Sequence, residues 1–267
     1  MNPLEYDHKK EYLPDDCKVN ISPSKFSDFV NKKHQWYREV ILKEDGFLGN
    51  TSSVLGTCVH YIAECVALGK DVDVEVIEKY IDDNSHLEDY CPDTVRDNYR
   101  LMATELVNSY VIPNKNNYLE VESVHLANLG NGIYVSGKLD VLEGSKEDCC
   151  ITDYKTYNSK TKPKYIPQHY KYQLLTYAYM LWKNGYNPTR IKLVYINRNI
   201  DGGISEKTGK PLKSYPPEVT ELVECITTED LEFISSLLEL CKDTIVASDK
   251  HPELRHVIWN DPRLKTK

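Results

Sequence analysis

Two acids and a lysine stand close together in the middle of this chain: Asp140 closes G-K-L-D, and Asp153 and Lys155 lie in C-C-I-T-D-Y-K. The second stretch is apolar and β-branched, as in a strand, so Asp153 and Lys155 project to one side and Tyr154 to the other. Asp140 falls in a preceding strand, from Val135 to Leu142, joined to the second by the charged turn 143–148. Two carboxylates and an ammonium on one sheet face are costly core filling unless they are paired or hold a metal. Oxygen ligands suit a hard divalent cation, and the lysine would add a positive group beside it. Taken alone, Lys155 beside Asp153 is better read as a salt bridge at a strand end.

The elements that must carry these residues follow from the patterning. Residues 1–20 are polar and read as an extended arm. A helix then opens at I-S-P-S-K-F, with Ser22 or Ser24 as N-cap and Pro23 in its first turn. Its apolar stripe runs through Phe26, Phe29, Val30, Trp36, Tyr37 and Val40 to about Leu42. A second helix starts at 51–53 and runs to Leu68, where Gly69 stops it; His60 and Glu64, four apart, share a face. Residues 71–112 read as two helical pieces, broken near Asn84 and at Cys91-Pro92. From Tyr118 the period becomes two, and Asn131-Gly132 is a hairpin turn. The strands up to Tyr154 thus form a three-stranded antiparallel meander. A basic loop follows, then a helix from about Gln168 to Asn184 and a buried strand from Ile191 to Ile196, placed parallel to the meander by the helical crossover. After a Gly- and Lys-rich loop at 199–217 come a strand at 219–226 and a helix to about Ala247, capped at Thr227. The fold class is α/β: a helical lobe at 22–112, a mixed core at 117–247 and a tail at 248–267.

Length and composition are those of an ordinary globular chain, with 267 residues, 40% apolar and 28% charged. The formal net charge of −8 argues against indiscriminate coating of nucleic acid, but leaves room for a local basic groove. Twenty tyrosines against four phenylalanines suit half-wet clefts, although AT-biased coding gives the same enrichment. The eight cysteines form no C-x-x-C pair and read as reduced, buried thiols. No apolar run looks long enough to span a membrane, and the first residues resemble neither a signal nor a transit peptide, so a cytoplasmic location is expected.

Five pieces of the sequence, in order, resemble the PD-(D/E)XK nuclease superfamily and most closely its RecB-like exonuclease branch. That branch includes CRISPR-associated RecB-like nucleases, phage recombination exonucleases and the mitochondrial genome maintenance exonuclease. The pieces are S-P-S-K-F-x-x-F with Trp36-Tyr37, G-T-x-x-H ending at His60, G-K-L-D ending at Asp140, D-Y-K-T from Asp153 to Thr156, and Q-x-x-x-Y from Gln173 to Tyr177. They span roughly residues 22–200. Iron–sulfur members carry C-P-R-K-[FW]-Y in the opening helix and further cysteines near the C-terminus. Here that stretch is K-K-H-Q-W-Y, so no iron–sulfur cluster is expected.

The resemblance implies a restriction-endonuclease-like core and metal-dependent hydrolysis of DNA from its ends without sequence specificity, in recombination, repair or processing. Mg²⁺ or Mn²⁺ would be held by Asp140, Asp153 and the Tyr154 carbonyl, with help from His60, while Lys155 acts at the attacking water. Glu64 would orient His60 or bind the ion; a solvated helix face is the plain alternative. Gln173 and Tyr177 would support the site, although an amphipathic helix packed on the sheet explains them too. Thr156, Ser22 and Ser24 are candidate phosphate contacts, the serines equally explained as caps. Lys160, Lys162 and Lys164, with Lys32 and Lys33, would grip phosphates, and Tyr157, Tyr165, Tyr170 and Tyr172 would stack on bases. The expected partners are DNA with a single-stranded end and a recombination or replication protein. The rival readings are a non-catalytic DNA-binding module on the same fold, a structure-specific endonuclease, and a nuclease of RNA.

Overall fold

The computed structural model describes residues 12–265, apart from 45, 47, 160, 200–202, 206 and 212. Six strands form one sheet: β1 (Val19–Ile21), β2 (Tyr118–Gly130), β3 (Ile133–Gly144), β4 (Cys149–Tyr157), β5 (Pro188–Asn197) and β6 (Val219–Cys225). The order is β1-β3-β4-β5-β6, with β2 along the other side of β3. β2, β3 and β4 are the expected meander, and β5 joins β4 in parallel along its whole length. The β2–β3 turn needs left-handed backbone at three successive residues, with φ of 91°, 58° and 74° at Gly130, Asn131 and Gly132, which two glycines and an asparagine accept readily.

The helices cover both faces. On one lie α1 (Pro23–Asn31), α2 (Lys33–Trp36), α7 (Gln168–Lys183) and α8 (Thr228–Lys250). Phe26, Phe29, Trp36, Leu174, Ala178, Leu181 and Leu238 pack there on Leu139, Ile151 and Leu193. On the other lie α3 (Thr51–Leu68), α4 (Val74–Asp83) and α5 (Pro92–Leu106), with Val54, Val59, Ile77, Met102 and Leu106 against Val141, Tyr154, Val194 and Ile196. Ile151 and Tyr154, or Leu193 and Val194, enter opposite layers as strand alternation requires.

Several boundaries differ from the sequence reading. The opening helix breaks at Lys32, where φ is −141° and ψ 55°, and resumes in α2 and a π-turn over 37–41. The supposed arm contains β1, which pairs in parallel with Ile133–Val135. The cap of α3 is Asn50, whose side chain takes the N–H groups of Ser52 and Ser53. Contrary to expectation, α3 has the length and mean hydropathy of a membrane span, 18 residues at 1.2. Its apolar residues Val54, Leu55, Cys58, Val59 and Ala63 are instead used for packing against α4, α5 and this face of the sheet.

The tail is fastened to the start of the chain. Short helices α6 (Ile112–Asn114) and α9 (Arg255–Ile258) complete the set, and α9 delivers Trp259 to Trp36, Tyr37 and Phe29. Trp259 is fully buried, and its indole N–H donates to Ser248 Oγ at 2.7 Å.

Candidate active site

The site forms where two strands part. β3 and β4 pair only from Val141–Thr152 outward to Gly144–Cys149, whereas β1 covers β3 at Ile133–Val135. Asp140 lies just past the last β3–β4 pair, and its Oδ2 accepts the Tyr154 N–H at 2.7 Å in place of a ladder carbonyl. Gly137 of G-K-L-D is required by close packing: a Cβ there would come within 2.9 Å of the Pro23 ring and 3.0 Å of the Tyr177 ring.

Three helices and three strands then bring side chains to one cleft of about 720 Å³. α3 contributes Gly56, His60 and Glu64 in one i, i+4 row, with Gly56 letting the helix close on β4, where an added Cβ would sit 3.4 Å from Thr156 Oγ1. The His60 Nδ1 lies 3.5 Å from Asp140 Oδ2, and its ring packs edge-on to Tyr154. β4 contributes Asp153 and Lys155, paired at 2.5 Å between Oδ2 and Nζ. α7 contributes Gln173, whose Nε2 donates to Asp153 Oδ1 at 3.1 Å, and Tyr177, whose hydroxyl donates to the Lys138 carbonyl at 2.8 Å.

Lys155 Nζ faces Asp153 Oδ2, and no second donor reaches that buried oxygen. That oxygen, with Asp140 and an imidazole nearby, fits a hard divalent ion. No three acidic, histidine or cysteine side chains among the described residues are already drawn into a ligand cage. Such a cage is not needed for Mg²⁺, which is commonly held by one or two carboxylates with water and substrate phosphate completing its shell.

Burial pushes the Asp140 carboxyl up, but His60, Lys155 and the Tyr154 N–H outweigh it and hold the carboxyl below its usual range. At Asp153 burial and the charge of Asp140 win over Lys155, so the carboxyl is raised. Burial opposes charge on His60 and Lys155, but Asp140 and Asp153 outweigh it and raise both. Lys155 therefore keeps its proton at neutral pH.

Of the residues singled out in the sequence, His60, Glu64, Asp140, Asp153, Tyr154, Lys155, Thr156, Gln173 and Tyr177 all line this cleft. Ser22 and Ser24 do not; they lie at the start of α1, 3.4 Å apart between hydroxyls, and Ser22 makes no side-chain cap bond. Lys162 is paired with Glu218 on another pocket, Lys164 is exposed outside the cleft, and Lys160 lies outside the described residues. Lys33 stacks over Phe29 and Trp259. Of the four tyrosines near the basic loop only Tyr170 lines the cleft, and Lys155 Nζ lies 5.2 Å from its ring centre.

Glu122 and Lys138 were missed. They form an ion pair at the cleft wall. Between the pairs Val121–Val141 and Ser123–Leu139, Glu122 comes opposite Asp140. Its φ of 52° is left-handed in mid-strand, a strained conformation of the kind kept at functional sites. Burial and the charge of Asp140 raise its carboxyl to about 7. Counting back from the Asn131-Gly132 turn puts Val141 opposite Glu122; the irregularity between Asn128 and Gly130 shifts the register by one, which no residue pattern announces.

Comparison with known proteins bears on the fold and the family. A crystal structure of a candidate exonuclease from Eubacterium rectale superposes with a TM-score of 0.52 at 14% identity, covering 86% of this chain and 80% of that one, a likeness of fold. LHK-Exo, crystallised in complex with dAMP, gives a TM-score of 0.36 at 12% identity, over 78% of this chain and 98% of its own. The comparison with curated proteins gave no match. The model of the PD-(D/E)XK nuclease superfamily matches residues 20–247, a stretch that contains every residue of the cleft, and the chain belongs to that superfamily.

Proposed function

We propose that the chain is a divalent-metal-dependent deoxyribonuclease of the RecB-like type, removing nucleotides from DNA ends without sequence specificity. The observation that carries this reading is the convergence of Asp140, Asp153, His60 and Lys155 in one open cleft, with no donor but Lys155 on the buried Oδ2 of Asp153. Asp140, Asp153, His60 and the Tyr154 carbonyl would hold Mg²⁺ or Mn²⁺. When bound, the ion supplies Lewis acidity at the phosphate and a more acidic water.

The chain's own groups have distinct tasks. Gln173 fixes one oxygen of Asp153 and leaves the other for the ion. Tyr154 N–H fixes Asp140. Lys155, protonated, donates to the scissile phosphate and steadies the charge that develops on it; it is not the base in this state. Tyr177 ties α7 to β3 through the Lys138 carbonyl and so sets the distance between the two acids' strands and Gln173. His60 binds an ion only as neutral imidazole, and Asp140 favours its charged form, so metal affinity rises with pH.

The test is digestion of end-labelled DNA, linear and circular, with Mg²⁺, Mn²⁺ or EDTA, with an RNA strand of the same sequence alongside. Metal-dependent loss of linear DNA with circles spared is expected. Cleavage of circles would make the enzyme an endonuclease, and cleavage confined to RNA would move the substrate class. A folded protein that binds metal and cuts none of these would overturn the reading.

A further inference from the structure

The cleft wall is not built as a phosphate trap. It carries four carboxyl groups, Glu64, Glu122, Asp140 and Asp153, against the lysines Lys138 and Lys155, which already face Glu122 and Asp153. No arginine lines it among the described residues. Lys162 and Lys164 stand outside it, and the whole chain carries a formal charge of −8. An ion held at Asp140 and Asp153 would offset those two carboxyls but leave Glu64 and Glu122, so a polyanion gains little along the rest of the wall from counterion release, the usual source of sequence-independent affinity.

What the wall does offer is aromatic. Tyr61 on α3 and Tyr80 on α4 border the cleft from the lobe, and Tyr170 on α7 borders it from the core side. Tyr61 and Tyr80 pack against the apolar core of the lobe, and Tyr170 packs against Tyr195, so each ring is supported from behind. Stacking on a supported ring is worth about 1–3 kcal/mol per base and does not depend on which base it is. Only unpaired bases expose the faces it needs.

We propose that Tyr61 and Tyr80 form a stacking subsite on the helical lobe that holds an unpaired DNA strand by its bases, so that the grip on substrate comes from rings more than from lysines. The proposal rests on the nuclease reading for the identity of the strand, but its test does not require cleavage. Binding is measured by fluorescence anisotropy in Ca²⁺, with strand integrity checked on a gel. The probes are an oligothymidylate, an abasic strand of equal length and a blunt duplex, each over a range of salt.

The abasic strand, with the same phosphates, is expected to bind about tenfold or more weakly, and the salt slope to correspond to roughly one or two phosphates. Tyr61→Ala and Tyr80→Ala each lose about five- to tenfold on oligothymidylate and nothing on the abasic strand, while the Phe variants, which keep the ring, bind as the native protein does. Equal binding of abasic and base-bearing strands, a steep salt slope untouched by the Ala variants, or no binding of any strand would overturn the proposal. A strand held this way but left uncut in Mg²⁺ would defeat the nuclease reading and leave the subsite standing. Cleavage with equal abasic binding would do the reverse.

Discussion

Two of the sheet's lysine–carboxylate pairs, Lys192–Glu143 and Lys155–Asp153, are built differently. Lys192 and Glu143 have 12% and 5% of their side chains exposed, and Lys155 and Asp153 have 19% and 7%, so burial does not separate them. Hydrogen bonding does. Glu143 Oε1 accepts from Tyr110 and from Thr152 Oγ1 at 2.7 Å, Lys192 reaches its two oxygens at 3.1 and 3.4 Å, and Lys192 also donates to the Tyr110 hydroxyl at 2.8 Å. Asp153 has Gln173 on one oxygen and Lys155 alone on the other. The first pair is closed and holds β3 to β5 across the sheet. The second lies where β3 and β4 separate, opens on the cleft, and has capacity left. A buried charge that the fold leaves incompletely satisfied marks the place where something from outside is meant to bind.

The largest expected effect follows from removing the incomplete pair. Asp153→Ala and Lys155→Ala should each lower cleavage by about 10²–10³-fold or more, with a smaller loss of melting temperature than Glu143→Ala, because Asp140 still faces Lys155 in the first and the raised Asp153 carboxyl takes up a proton in the second. A proportionate loss of stability would place this pair in the same class as Lys192–Glu143. Glu143→Ala should do the opposite. It leaves Lys192 buried with the Tyr110 hydroxyl and, as its remaining carboxylate, Glu221 at 3.7 Å, and should cost about 3 kcal/mol in denaturant titrations, while cleavage by the folded fraction at low temperature stays near native.

The five motifs were legible because they depend on local period. D-Y-K needs only strand alternation, and G-T-x-x-H and Q-x-x-x-Y need only the helical row, so His60, Asp153, Lys155, Gln173 and Tyr177 could be placed before any fold was known. Glu122 could not, because its position opposite Asp140 depends on a one-residue shift in the hairpin. β1 was hidden because its partner, Ile133–Val135, is far along the chain. The docking of Trp259 on Trp36 and Tyr37 has no sequence signal, since a lone tail aromatic carries no address. The basic loop shows the converse: its lysines were conspicuous in sequence, yet Lys162 and Lys164 do not line the cleft.

Smaller effects sharpen the contrast. Gln173→Ala frees Asp153 Oδ1 and should lower metal affinity or turnover by about tenfold, the lower end for a group that orients a ligand, with little change in melting temperature. Glu122 supplies a pH signature. Its folded value of about 7 lies above the ordinary 4.5, so between those values the fold holds a proton that the unfolded chain has released. The stability it contributes is complete below 4.5 and is lost as pH rises through 7. In EDTA the melting temperature of Glu122→Gln should therefore gain on the native protein from pH 5 to pH 8, by roughly 2–4 °C for each kcal/mol removed. A constant difference across that range would mean that Glu122 is not held protonated.

The most direct test of the contrast between the two pairs is calorimetric titration of Mn²⁺ into the native protein, Asp153→Ala and Glu143→Gln. Binding that disappears in Asp153→Ala and persists in folded Glu143→Gln is the predicted result. Mn²⁺ binding by Asp153→Ala at native affinity would contradict it, and would mean that the Asp153 oxygen beside Lys155 is not where the ion is held.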